Sequence, residues 1–354
     1  MLGFAPGSSC WQDEGVATSA NLKNSPEQDP DLYGAILASV SRSFYLTIRA
    51  LPWPLRRPIG LAYLLARTTD TIADSAEATP EIRLQALHQF GESISGFAPA
   101  PDLAPVERGV KDSGERELLA QAGNLLGALR QTEPGDRQEI VWVLQEILRG
   151  QTLDIQRFPK DNGEQVTALA DAGELEAYTY SVAGCVGEFW TRICNRHLKH
   201  YSTRDLGEMV QLGISFGKGL QLVNILRDAP ADLASGRCYL PADELGGPPE
   251  NLRTHPAQAR AAFAFWLARA REHLDRGLLY VEALRPWRLR FACFLPWALA
   301  RKTLDLLERD YPLETPARIK VSRKQVRLLL LWGTLVGFSN FFFQFYLNRN
   351  EIER

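Results

Sequence analysis

The sequence predicts an all-α protein: a large helical bundle in which two polar helix faces meet at a cavity. Three observations carry this. Tyr63, Arg67, Asp70 and Asp74 recur at intervals of four, three and four, so they share one helix face, among Leu64, Leu65, Ala66, Ile72 and Ala73. Asn224, Asp228 and Asp232 repeat the pattern half a chain later, in an otherwise apolar stretch that begins at Gln221. Most of the remaining chain reads as long amphipathic segments punctuated by Pro and Gly.

In chain order, residues 1–30 are polar and aperiodic and read as a loose leader. Helical signal begins near Asp31 and runs into Ser41-Arg42-Ser43-Phe44, where Ser and Arg suit phosphate oxygens or simply close a helix end. Pro52 and Pro54 interrupt, and Pro58 is expected to open the helix of the first acidic motif. Thr79-Pro80 reads as an N-cap followed by Pro in the first turn. A Pro- and Ala-rich loop, Gly96 to Pro105, links helices of one domain. Helices follow over Glu115–Leu129, Asp136–Phe158 and Glu174–Cys194. Ala183-Gly184 and Gly187 cost helix propensity, and they let a second helix or a bulky ligand approach the backbone closely. The second acidic motif lies on Asp205–Asp228, with a kink expected at Pro230. Two long helices, His255–Leu284 and Trp287–Arg309, complete the expected domain of residues 31–320.

Carboxylates one turn apart on an apolar helix are costly to bury without a cation between them. Mg²⁺ takes oxygen ligands and is commonly shared between one or two carboxylates and substrate phosphates. Two acidic faces with Arg67 and Arg227 beside them therefore suit a Mg²⁺–diphosphate site at the mouth of an apolar pocket.

Five stretches, in order, resemble the squalene and phytoene synthase family of head-to-head prenyl transferases: Ser41–Phe44, Asp70–Asp74, Tyr178–Gly187, Gln221–Asp232 and Gly236–Pro241. The resemblance extends from about Asp31 to Arg309 and implies one isoprenoid-synthase-type bundle. It implies that Asp70, Asp74, Asn224, Asp228 and Asp232 hold Mg²⁺. Ser41, Arg42, Ser43, Phe44, Tyr63, Arg67, Gln221, Asn224 and Arg227 would bind the diphosphates. Ala231 departs from the acid that many members carry there, which bears on Asp232. Tyr178 takes the place of a tyrosine tied to proton transfer or cation stabilisation, and Asp154 falls in a segment near the cavity. Phe291, Phe294 and Pro296 resemble a tunnel-lining helix. Lys320, Arg323 and Lys324 resemble a segment near NADPH phosphates, although unaided they read equally as a charged helix cap. The implied reaction joins two farnesyl diphosphates through presqualene diphosphate and reduces the product to squalene with NADPH. Phytoene or dehydrosqualene synthesis, without reductant, is the alternative; a catalytically silent, membrane-bound scaffold is a third reading, which the retained acidic motifs oppose.

The chain has 354 residues, 45% of them hydrophobic, and a formal charge of −2, with no basic stripe interleaved with aromatics, so nucleic-acid binding is not expected. Five scattered cysteines and no secretory signal point to free thiols in a reducing cytosol. His197 and His200 read as a surface pair. Residues 321–354 form the tail. Leu328 to Leu347 carries no charge, and twenty helical residues reach about the thickness of a bilayer core. Arg318, Lys320, Arg323, Lys324 and Arg327 precede it, which predicts a single-pass anchor with the catalytic domain in the cytosol. Asn340 and Gln344 are unwelcome in lipid and leave open a helix packed on the domain.

Overall fold

The structure is a computed structural model and describes residues 34–75, 77–158, 166–245, 249, 256–314 and 319–352; the expected leader lies outside the described residues. The chain begins with α1 (Ala35–Val40), α2 (Arg42–Ala50) and α3 (Trp53–Ala73), the helix of the first acidic motif. Helix α3 starts at Trp53 and not at Pro58. Pro54 occupies its first turn, and the N–H missing at Pro58 would only have reached back into that turn. Thr79 caps α4 (Pro80–Ser95), accepting from the Ile82 N–H, and Gly96 closes it in the left-handed region at φ 83°.

Then come α5 (Ala104–Glu107), α6 (Ser113–Ala120), α7 (Ala122–Gln131) and the long α8 (Pro134–Arg157). The expected Glu115–Leu129 helix is thus divided at Gln121. Beyond the short strand β1 (Thr167–Leu169), α9 (Ala172–Thr179) passes through a π-helical turn, Tyr180–Gly184, into α10 (Cys185–His197). Helix α11 (Leu206–Ala234) carries the second acidic motif and continues past Pro230. Strand β2 (Arg237–Pro241) pairs parallel with β1, with a register irregularity between Ala168 and Leu169. Both strands are short, three and five residues, too short to show a periodicity in the sequence. Helices α12 (Pro256–Ala283), α13 (Trp287–Arg309), α14 (Arg323–Phe338) and α15 (Asn340–Ile352) complete the chain.

Helix α11 runs through the middle of the bundle, packed against α10, α12 and the π turn. Glycines set how close these backbones come. Gly187 lies against the Gly213 carbonyl and Gly217 against that of Ala183. The small residues of Glu174–Cys194 therefore serve a neighbouring helix. The core is one continuous cluster that includes Leu61, Leu64, Leu65, Leu226, Trp266 and Phe294. Cys185, Cys194, Cys238 and Cys293 are free and buried.

The uncharged stretch 328–347 is not a single helix. Ser339 adopts extended angles (φ −150°, ψ 132°) that end α14 before α15 begins. Sixteen residues span about 24 Å, short of the roughly 30 Å bilayer core. Among the described residues no helix is long and apolar enough to cross a membrane, which corrects the expected single-pass anchor. The pair packs on the domain instead. Phe343 and Tyr346 are buried against Phe294, and Gln344 donates to Glu282 across 3.4 Å.

Substituting Gly217→Ala drives a methyl into the Ala183 carbonyl and should destabilise the fold by about 1–3 kcal/mol or more. Gly127→Ala, in open space on α7, should be neutral or gain up to about 1 kcal/mol. Denaturant midpoints compare the two.

Candidate active site

Tyr63, Arg67 and Asp70 line one face of α3, and Asp74 closes the helix. The Tyr63 hydroxyl donates to the Val40 carbonyl at 3.5 Å, and burial pushes its pKa to about 12. Arg67 pairs with Glu115 of α6 and lies 3.9 Å from Asp70. Gln151 of α8 donates to Asp70 at 2.7 Å. Burial first, and then the Asp74 charge, raise Asp70 to about 6 against the opposing pull of Arg67 and Gln151. Two buried polar atoms here, Gln151 Oε1 and Arg67 Nε, make no hydrogen bond. Such atoms are unusual unless a ligand or water completes them.

On α11, Arg227 grips Asp228 with two hydrogen bonds of 3.0 and 2.5 Å, and Asp232 lies 3.8 Å from Arg237 of β2. Gln221 and Asn224 are half-buried on the same helix. Between the two motifs stands a hydrogen-bonded chain. Tyr178 donates to Tyr239 at 3.5 Å, and Tyr239 donates to Asp154 at 3.0 Å, with the two rings stacked 5.0 Å apart. Tyr180, two residues on, turns elsewhere and donates to Glu188. Burial raises Asp154 to about 6, and Asp74 of the first motif adds to the rise. Burial likewise drives Tyr178 well upward, helped by Asp154 and by Asp232 of the second motif. Asp154 thus feels the charge of Asp74 in the first motif and Tyr178 that of Asp232 in the second, so the Tyr178–Tyr239–Asp154 chain lies between the two motifs.

Other expected residues lie elsewhere or are otherwise engaged. Ser41 is buried and donates to the Leu37 carbonyl, the plainer helix-end role. The side chains of Arg42, Ser43 and Phe44 lie outside the described residues. Phe294 and Phe291, expected to line a tunnel, pack against Gly333 of α14, because the returning tail needs a cover and a glycine admits it closely. Pro296 is half-buried within α13. Lys320, Arg323 and Lys324 are exposed about the start of α14, where Ser322 and Gln325 form a capping box. His197 is half-buried and bonds the buried Asp136 at 2.8 Å, while His200 is exposed. A cavity of about 410 Å³ opens beside Trp53, Arg56, Arg57 and His197. Asp70 is not in its lining; it sits roughly 20 Å further along α3.

Among the described residues no three His, Cys, Asp or Glu side chains converge to cage a metal. The donors at the two motifs are all oxygens, with Gln151 Oε1 in reserve. That set fits Mg²⁺ shared with substrate phosphates better than an all-protein cage. Glu115, Gln151, Tyr239 and Arg237 were not anticipated. Tyr239 and Arg237 stand within the Gly236–Pro241 stretch, and Gln151 within the segment of Asp154, so the signal was a segment without a side-chain role.

A helical bundle with acidic motifs on either side of a tyrosine–carboxyl chain is the architecture of an all-α isoprenoid synthase. The squalene/phytoene synthase family model matches residues 37–325, and the chain belongs to that family. Squalene synthase of Eremothecium gossypii is 24% identical over 296 residues, 80% of this chain and 64% of that relative. The chain thus spans a little under two thirds of that protein's length. Phytoene synthase of Mycobacterium tuberculosis is 29% identical over 219 residues, 62% of this chain and 59% of that relative. Among solved structures, the complex of TcSQS with E5700 matches with a TM-score of 0.71 at 23% identity over 87% of each chain. A liganded dehydrosqualene synthase matches at 0.58 and 20% identity, over 86% of this chain and 94% of that one. Both structures share the fold.

Because folded Asp70 holds its proton to about pH 6, against an ordinary value of 3.8, the folded state binds more protons across that window. Stability contributed by this group is therefore present at low pH and is lost as pH rises through 6. Asp70→Asn should melt no lower than the wild type at pH 8 without metal. Adding Mg²⁺ and inorganic diphosphate should raise the melting temperature of the wild type and not of the variant.

Proposed function

We propose that this chain joins two molecules of farnesyl diphosphate head to head, through presqualene diphosphate, to give squalene with NADPH as reductant. The observation that carries the reading is the Tyr178–Tyr239–Asp154 chain held between two acidic motifs. Mg²⁺ bound by Asp70, Asp74, Asn224, Asp228 and Asp232 together with the substrate would offset charge on the departing diphosphate. Arg67 and Arg227, each already beside a carboxylate, orient those acids and meet the same anion. Apolar helices around the site exclude water that would quench an allylic cation. The Tyr178 ring presents a π face to such a cation.

Closing the cyclopropane requires a proton to leave carbon. Tyr178 can accept it as its own hydroxyl proton moves to Tyr239 and the Tyr239 proton to Asp154. A carboxyl raised to about 6 is a base at neutral pH that still holds a proton well. Lys320, Arg323 and Lys324, exposed about the start of α14, are the cations open to the phosphates of NADPH. The match to phytoene synthases supports a second reading, condensation without reductant.

Incubation with farnesyl diphosphate and Mg²⁺, with and without NADPH, and mass spectrometry of the products separates these readings. Squalene only with NADPH is expected; the same product in its absence removes the reductive assignment. Asp70→Asn should lower turnover by about 10²–10³-fold, and unchanged turnover contradicts the metal role. Asp154→Asn should slow presqualene diphosphate formation by about 10²-fold and abolish a rise in rate through pH 6, leaving inhibition by inorganic diphosphate unchanged.

A further inference from the structure

The cavity of about 410 Å³ at the start of α3 stands apart from the acidic motifs and has the size of a small-molecule site. Part of its lining is apolar: Leu37, Ile48 and Pro58 are all buried. The rest is cationic. Arg49 of α2 and Arg56 and Arg57 of α3 line it, and the charge of Arg288 on α13 reaches Arg56. Arg49 and Arg57 are exposed and Arg56 is half-buried.

Among the described residues none of these four arginines makes an ion pair. Two acids line the same cavity, but both are engaged elsewhere. Glu133 caps α8, accepting from the Gly135 and Asp136 N–H groups. Asp136 is bonded to His197 and lies 3.6 Å from Arg196. Arg56 is held in place: its Nε donates to the Leu51 carbonyl at 2.9 Å, and its guanidinium lies over the Trp53 ring. Its terminal N–H groups are left to meet a ligand. Helix α3 begins here with no acid in its first turn and no side-chain cap, so its positive end adds to the field. A cleft lined by charge of one sign concentrates the counter-ion.

We propose that this cavity is a second, metal-independent binding site that takes a phosphate ester with a short apolar chain. The phosphate meets Arg49, Arg56 and Arg57, and the chain lies along Leu37, Ile48 and Pro58. Phosphate suits the cluster better than a carboxylate, because its greater charge and additional oxygens match several guanidinium groups. No metal is needed, since the cations are the protein's own; the acidic motifs, by contrast, repel an anion that brings no cation with it. The proposal rests on the cavity and not on the reaction.

The test is calorimetry of the full chain in EDTA, titrated with geranyl monophosphate, inorganic phosphate or geraniol. Geranyl monophosphate should bind without metal, more weakly as salt rises, and about ten-fold more tightly than either of the others. Arg49→Gln/Arg57→Gln, at two exposed positions that bond no acid, should lose about ten-fold in affinity. Asp70→Asn should leave this binding unchanged. Trp53, 68% exposed at the cavity, gives a second reading with every cation in place: binding should change its fluorescence, and Trp53→Phe should lose that change. Absence of metal-free binding, undiminished binding by the Arg49/Arg57 variant, or binding altered by Asp70→Asn overturns the proposal. Equal affinity for inorganic phosphate would take the apolar chain out of the site and overturn it too. Anionic vesicles held through Arg49 and Arg57, with no affinity for geranyl monophosphate, would make the cluster a headgroup contact and count equally against it.

Discussion

Two half-buried carboxyl groups, Asp70 and Asp154, sit on helices whose buried faces are mostly apolar, and the loss of surrounding water raises both to about 6. Holding acids in such surroundings is costly unless each finds donors. Gln151 donates to Asp70, with the Arg67 charge 3.9 Å away, and Tyr239 donates to Asp154. Much of the local architecture exists to deliver these partners. Strand β2 brings Tyr239 to the site only because it pairs with β1, from the other side of α9, α10 and α11. The π turn after Thr179 and the glycine contacts between α10 and α11 fix where α9 ends, and so where Tyr178 points.

The same constraint gives the site its chemistry. A carboxyl that titrates near 6 is ionised at neutral pH and retains appreciable proton affinity, which suits both sharing a cation with a substrate anion and taking a proton from carbon. Asp228 is organised differently, with both oxygens held by Arg227. Beside the first motif two buried polar atoms, Gln151 Oε1 and Arg67 Nε, make no hydrogen bond, and a ligand bound there would complete them.

The acidic motifs were legible in the sequence because helical spacing alone aligns Asp70 with Asp74 and Asn224 with Asp228. The Thr79 cap and the span of α13 were legible for similarly local reasons. What was missed is non-local. The Asp136–His197 bond joins residues 61 apart, and the Tyr239–Asp154 bond residues 85 apart, and periodicity carries no trace of either. Strand β2 has five residues and depends on a parallel partner distant in the chain. Hydropathy marked 328–347 as one apolar block, but a sum over side chains does not register the extended backbone at Ser339 that folds the block into a hairpin. The sequence around Phe291 and Phe294 likewise carries no sign that this hairpin returns to cover them.

The central claim is that the acidic motifs of α3 and α11 act on one ligand in one site. A double-mutant cycle on the binding of Mg²⁺ with a non-ionising thio analogue of farnesyl diphosphate tests it most directly, by calorimetry of the wild type, Asp70→Asn, Asp228→Asn and the pair. If the site is shared, the losses are non-additive, with a coupling of about 1 kcal/mol or more. Strictly additive losses, or analogue binding that one of the two substitutions leaves untouched, would contradict it.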